Sequence, residues 1–367
     1  MPRDGALRIL ALPRYEPLGA SSRLRFNQYL PYLQDVAGMR IQTEPLLSDA
    51  YVQALYGSNV RRDPGAILRA YARRWALLRC AKRDFDLVWM EKEAFPYLPA
   101  WGERLLNRSG VPYVVDYDDA TFHQYDNHRR PQIRHLLGGK IAEVMRRAAL
   151  VVAGNQYLGE YAQTSGAVRV EYLPTAVDMN QYRTIIPNAN HAFTIGWIGT
   201  PLTAVYLNAI RPALENVSRG GEAALHFVGA EPVDWGGLAV HSLPWRQETE
   251  VDEIRQFSVG IMPLPDAPFE RGKCGYKLIQ CMACGVPVIA SPVGVNRTLI
   301  QHGANGFLAR SENDWIDTLN RLKFDRPLRE KMGAAARQTV ENEFSTVITA
   351  PRLASFLREA HSSFSAG

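Results

Sequence analysis

Eight consecutive residues, Glu270-Arg271-Gly272-Lys273-Cys274-Gly275-Tyr276-Lys277, bring together a carboxylate, several cations and two glycines. They run into an apolar segment over 278–284 that predicts a short helix, which Gly285 can stop in a left-handed conformation. The unpaired amides and dipole of a helix N-terminus favour an anion, and lysines beside them add charge. This predicts a phosphate-bearing ligand held around Gly275 to Leu278. A second set of candidates follows an apolar run at 113–116, where Asp116, Asp118 and Asp119 stand close together with His123 beyond them. Such carboxylates can hold a divalent ion, orient or deprotonate a hydroxyl, or cap the next segment. A third set is Ser21, Ser22, Arg23 and Arg25, after the first apolar run. The arginines suit donor phosphate or an anionic acceptor, with Arg23 the better placed. This loop lacks the G-x-G-x-x-G pattern, so a nicotinamide site loses its main support.

These groups need a scaffold, and the chain alternates apolar runs with helical patterns throughout. The runs at 7–12, 87–91 and 113–116 predict strands of one parallel sheet. The run at 286–291, with a proline at its entrance, predicts a strand of a second. Parallel sheets gather ligands at the carboxyl ends of their strands, where the candidate residues fall. Residues 183–192 are the linker candidate, dividing the chain into domains of 1–182 and 193–345. An amphipathic pattern near 348–361 predicts a final helix.

The segment Met282-Ala283-Cys284-Gly285-Val286-Pro287-Val288-Ile289-Ala290-Ser291 resembles the nucleotide-sugar signature of family-4 glycosyltransferases, roughly E-G-F-G-x-P-x-x-E-A-M-A-x-G-x-P-V-I-A-S. Val151-Val152-Ala153-Gly154-Asn155, Leu173-Pro174-Thr175-Ala176-Val177-Asp178, Ile195-Gly196-Trp197-Ile198-Gly199-Thr200 and Gly303-Ala304-Asn305-Gly306-Phe307-Leu308 resemble further family segments in the same order. The resemblance implies an α/β GT-B fold, two Rossmann-like domains facing an interdomain cleft, with helix 346–367 returning to the first domain. It also implies sugar transfer from a nucleoside diphosphate sugar to a hydroxyl of a glycan or lipid-linked acceptor, with retention and no obligatory metal.

On this reading Arg23, Gly199, Thr200, Arg271, Lys273, Gly275, Tyr276, Lys277 and Gln280 bind the donor. Ser21, Ser22, Arg25 and His123 bind the acceptor, and Asp118, Asp119 and Glu270 act in the transfer. Two departures stand out. Gly272 and Gln280 occupy the positions of the family's two glutamates, and Glu270 or Lys273 is the candidate replacement for the first. The family's Arg/Lys pair is missing from Gly199-Thr200-Pro201-Leu202-Thr203, and Lys273 and Lys277 are expected to compensate. A nucleotide-sugar epimerase, or a degenerate protein that only binds nucleotide sugar, are the competing readings.

Composition fits this picture. With 367 residues, 46% of them hydrophobic and 22% charged, two globular domains are the natural expectation. The formal net charge of +5 is mild and no nucleic-acid motif accompanies it. Its basic residues concentrate early: Arg61, Arg62, Arg69, Arg73, Arg74, Arg79, Lys82 and Arg83 interleave with Ile67, Leu68, Trp75, Leu77 and Leu78. That pattern predicts a basic amphipathic helix over 64–82, suited to an anionic membrane surface. A second basic group spans Arg129 to Arg147. No apolar stretch is long enough to span a bilayer and no signal-peptide pattern opens the chain, which predicts a cytoplasmic protein, peripheral at the inner membrane face. Cys281 and Cys284 have Cys-x-x-Cys spacing but no second ligand pair, so they read as buried small hydrophobes.

Overall fold

The computed structural model describes residues 5–56, 63–182, 184, 192–231, 235 and 238–365. Arg61, Arg62 and all of the linker candidate except 184 and 192 lie outside the described residues. The chain divides into two compact units: Met1–Thr175 with Gly272–Cys274 and Val347–Gly367, and Ala176–Arg271 with Gly275–Thr346.

Unit 1 is built on six strands: β1 (Arg8–Leu12), β2 (Arg40–Thr43), β3 (Leu87–Glu91), β4 (Tyr113–Tyr117), β5 (Leu150–Ala153) and β6 (Val170–Tyr172). All pair in parallel, in the order β2-β1-β3-β4-β5-β6. Leu-Val-Trp-Met-Glu in β3 and Tyr-Val-Val-Asp-Tyr in β4 are buried at every position. Continuous apolar runs without alternation are what central parallel strands require, because helices cover both faces. The edge strand β2 alternates exposed and half-buried residues instead. One face packs Phe26 on Trp89, their ring centroids 4.0 Å apart. The same cluster includes Ala350, Leu353, Ala354, Leu357 and Ala360 from the last helix, Thr346–Ser365. Leu353 and Leu357 are fully buried, each contributing about 2 kcal/mol by leaving water.

Unit 2 repeats the plan with β7 (Phe193–Ile198), β8 (Ala223–Val228), β9 (Val240–Leu243), β10 (Val259–Met262), β11 (Val288–Ala290) and β12 (Gly306–Leu308). Its order is β12-β11-β10-β7-β8-β9, again parallel throughout. The helix Tyr276–Ala283 begins two residues earlier than the sequence suggests. Gly285 follows it at φ 76°, the left-handed stop anticipated from its position. Cys281, Cys284 and the neighbouring apolar residues form the core beneath this helix. Burial pushes the Cys284 thiol up to about 12 and raises Cys281 as well, so both stay protonated packing groups.

In both sheets the strand order reverses once: between β1 and β3 in unit 1, and between β7 and β10 in unit 2. Loops leaving the carboxyl ends of such a pair diverge and open a crevice. The sequence candidates fall at these two places.

Candidate functional site

At the unit 1 switch point, the loop after β1 meets the end of β3. Ser22 is fully buried and donates to Glu91 Oε2 at 2.6 Å. The same carboxylate oxygen accepts from the amide of Arg14 at 2.8 Å. Lys92 follows with φ 61°, a left-handed conformation costly for a lysine, and is nearly buried. Strain of this kind, on the order of 1–3 kcal/mol, survives only where the surroundings fix it, and it gathers at functional sites. Here the surroundings are polar: Lys92 Nζ lies 2.8 Å from Asp118 Oδ1 and 3.2 Å from Ser21 Oγ. Burial alone would lower the lysine's pKa, but the charges of Asp118, Glu91 and Asp119 raise it.

The two aspartates differ. Burial works against the charge of Asp118, yet the Lys92 ammonium and hydrogen bonds from Lys92 and Ser21 hold it below the usual carboxylate range. Burial dominates at Asp119 and pushes it up, opposed by Lys273 and Lys92 and reinforced by the charge on Asp118. Lys273 Nζ stands 3.7 Å from Asp119 Oδ1, a looser contact than Lys92 makes with Asp118. Asp119 is also the more open side chain, 32% exposed against 13% for Asp118. One carboxylate is pinned and ionised, and its neighbour is accessible and more readily protonated. That is an arrangement able to orient a hydroxyl and take its proton.

Residues Gly272–Cys274 belong to this unit and their packing explains the first departure from the family pattern. A Cβ on Gly272 would lie 2.4 Å from Ala120 Cβ and 2.8 Å from its amide. No side chain fits at 272, glutamate included. Asn155 Nδ2 donates to Lys273 O at 3.1 Å and holds the lysine's backbone in place. Cys274 Sγ fills the space that a side chain on Gly154 would need.

Several expectations for unit 1 need correcting. Arg25 does not meet an acceptor: it is buried, and its guanidinium donates to Asp116 at 2.6 and 3.2 Å and to Leu173 O at 2.9 Å. Ser22 is likewise spent on Glu91. Asp116, buried within β4, answers Arg25 and is no part of an open carboxylate group. His123 is engaged elsewhere, with Asp126 at 2.9 Å and the Tyr157 hydroxyl at 2.8 Å. The segment after Asp119 takes Phe122 as its N-cap, so neither Asp118 nor Asp119 caps that helix. Arg23 is half-buried, with a long 3.3 Å bond to Pro17 O. Ser21, Asp118 and Asp119 are the members that the fold brings together, and Lys92 and Glu91 join them unannounced.

Unit 2 gathers its candidates on the turn after β7. Gly199 leads into Thr200 and the short helix Pro201–Ala204. Lys277, in the first turn of Tyr276–Ala283, donates to Thr203 Oγ1 at 2.9 Å. Tyr206, slightly further along, donates to Glu270 Oε1 at 2.5 Å. Gly275 precedes the helix at φ 71°, and no side chain caps its N-terminus. Gly229, at φ 83°, is forced to be glycine, since a Cβ there would meet Gly199 O at 2.0 Å. Backbone thus runs against backbone beneath the turn, as a loop that must approach a ligand closely requires.

Gln280 is 2% exposed, and its amide donates to the Tyr182 hydroxyl at 3.1 Å. Tyr182 in turn lies 3.2 Å from the hydroxyl of Tyr276. The polar chain Gln280–Tyr182–Tyr276 therefore brings a neutral hydrogen-bonding group toward the helix start. Arg271 points to Asp266, 2.6 Å away, on a half-exposed surface. Among the described residues no cluster of three or more potential metal ligands occurs.

Known proteins match this architecture. Residues 194–324, most of unit 2, fit the family model described as glycosyl transferases group 1. A D-inositol 3-phosphate glycosyltransferase of Stackebrandtia nassauensis is 38% identical over 64 residues, 17% of this chain and 14% of that protein. A GDP-mannose-dependent alpha-(1-6)-phosphatidylinositol monomannoside mannosyltransferase of Mycobacterium tuberculosis is 28% identical over 225 residues, 52% of this chain and 56% of that one. The chain thus spans between 14% and 56% of the length of these curated relatives. Among solved structures, Anabaena HepE in complex with UDP-glucose superposes with TM-score 0.71 at 18% identity, covering 96% of this chain and 100% of that one. The chain has the GT-B fold, and residues 194–324 of it match the family model of the group 1 glycosyl transferases.

Proposed function

We propose that this protein transfers a glycosyl group from a nucleoside diphosphate sugar to a hydroxyl of a glycan or lipid-linked acceptor, with retention of configuration. The observation that carries this reading is the position of Lys277. It stands in the first turn of a helix whose N-cap is glycine, beside a glycine turn at the switch point of the group 1 module. As the bond to the anomeric carbon breaks, negative charge grows on the departing diphosphate. Preorganised cations and backbone amides stabilise such charge most where water is excluded. Lys277 and the amides after Gly275 serve the diphosphate, while the Gln280–Tyr182–Tyr276 chain lies toward the ribose. Glu270, oriented by Tyr206, serves the donor sugar in place of the glutamate for which position 272 has no room.

In unit 1, Asp118 and Asp119 face the acceptor hydroxyl, with Lys92 and Ser21 fixing the first of them. The relatives named for inositol phosphate and phosphatidylinositol mannoside support a polyol or lipid-linked acceptor. An anionic membrane surface is the proposed partner of the helix Pro64–Asp84. Leu68, Arg69 and Trp75 on it are 72%, 75% and 38% exposed. Arg74, expected on that basic face, is instead buried and donates to Pro13 O and Glu44 O. No helix among the described residues is long and apolar enough to cross a membrane.

A thermal-shift screen against UDP, GDP, ADP, CDP and dTDP, then their sugars, tests the donor. A ligand at 100 times its Kd stabilises the native state by about 2.7 kcal/mol. One base should raise the melting temperature clearly, and turnover of its sugar should follow. Silence from every nucleotide at millimolar concentration would reject the reading.

A further inference from the structure

The turn after β7 does more than leave space for a ligand. Lys277 Nζ lies 4.4 Å from the centroid of the Trp197 ring as well as 2.9 Å from Thr203 Oγ1. Trp197 is 1% exposed and packs edge-on to Phe227, so it cannot swing away. The Thr203 hydroxyl is fixed too. It donates to Thr200 O at 3.0 Å and accepts from the Thr200 amide at 3.2 Å. A hydroxyl has one proton and two lone pairs. Thr200 Oγ1 stands 3.3 Å away as a second acceptor for that proton, and with the proton directed to Thr200 one lone pair takes the amide and the other takes the lysine.

Gly199 completes the arrangement. A Cβ there would come within 2.4 Å of Lys277 Nζ and 2.5 Å of the Trp197 ring. The ammonium therefore occupies the volume that a side chain at 199 would fill. A lysine otherwise carries a mobile point charge on a flexible stem. A ring face attracts that charge, and a hydroxyl with fixed lone pairs sets its direction.

We propose that Trp197 and Thr203 are positioning residues that set the Lys277 ammonium in place for a diphosphate before any ligand arrives. This rests on the reading of Lys277 as the diphosphate cation and adds the residues that make a single lysine sufficient. Ordering the cation in the free protein removes a cost that binding would otherwise bear. Both residues act through the Lys277 ammonium, so their effect should be confined to the phosphate end.

Calorimetry on the full chain with UDP, GDP and ADP, with the matching nucleosides and with inorganic pyrophosphate, tests it. Thr203→Val keeps the shape and removes the hydroxyl. It should weaken diphosphate binding about tenfold, as loss of a hydrogen bond to a charged group does, and leave nucleoside binding unchanged. Thr203→Ser should restore diphosphate affinity, which a purely structural threonine would not require. Trp197→Phe should act in the same direction more weakly, and the threonine pair decides the matter where that variant folds poorly. Selective loss in Lys277→Ala without selective loss in Thr203→Val would overturn the proposal alone. Absence of nucleoside diphosphate and pyrophosphate binding in the unmodified protein would overturn both it and the phosphate reading.

Discussion

At the unit 1 switch point the cations are matched with carboxylates: Lys92 with Asp118, Lys273 with Asp119, and beneath them Arg25 with Asp116. A further buried pair joins Glu93 to Lys140, which also donates to Phe95 O at 2.6 Å. At the corresponding place in unit 2, Lys277 rests on an aromatic ring and a hydroxyl, and Glu270 is held by a tyrosine. The same sheet reversal is thus furnished in two ways. Paired charges largely cancel at a distance and leave a local pattern of donors and acceptors, which suits a neutral polyol and the movement of a proton. An ammonium placed by a ring and a hydroxyl in the first turn of a helix suits a diphosphate.

Breaking the deepest pair should have the largest effect. Arg25→Met leaves Asp116 buried without its cation, a change that costs about 3–5 kcal/mol. Chemical denaturation should show that loss, and a variant within 1 kcal/mol of the parent would mean that the pair is as dispensable as a surface one. Lys92→Met releases Asp118 from its partner at the strained position. Turnover of the donor should fall about 100-fold, as misplaced reacting groups do, while the stabilisation given by its nucleoside diphosphate stays the same. Equal loss of both would erase the division of labour between the two units. The mildest of the three concerns the outer face of unit 1. Reversing Arg69, Arg73 and Arg79 to glutamate should abolish sedimentation with phosphatidylserine vesicles at low salt, each charge being worth about 1 kcal/mol there. Nucleotide binding should be untouched, and unchanged sedimentation would remove the membrane from the account.

The sequence made the scaffold legible wherever a local rule sufficed. Apolar runs such as that of β3, short and without alternation, read as buried strands, and Gly285 marks a helix end by its freedom at positive φ. The glycine-and-lysine approach to residue 276 likewise identified the loop that holds Lys277. Choices between near neighbours were less legible. Ser21 and Ser22 differ by one step of about 100° around a helix, which takes one to Lys92 and the other into the core at Glu91. Arg25 reads as well as Arg23 for an anion until the sheet places Asp116 beside it. Lys92 has no motif of its own. Its signal was a Glu-Lys-Glu run at the end of a buried strand, where charge is expensive unless it has work to do. Gly272 looked like a lost glutamate because its neighbour, Ala120, is 152 positions away in the chain.

The last helix carries a consequence for how the molecule is made. Leu353 and Leu357 belong to the core that also holds Ile9 and Trp89, yet every residue of unit 2 is translated before them. Domains usually fold in the order in which they leave the ribosome. Here the first unit to be synthesised cannot complete this core until the second has emerged. The early strands must wait, with an apolar face exposed, for as long as it takes to synthesise another whole unit. The face that this helix covers is therefore the last part of unit 1 to close.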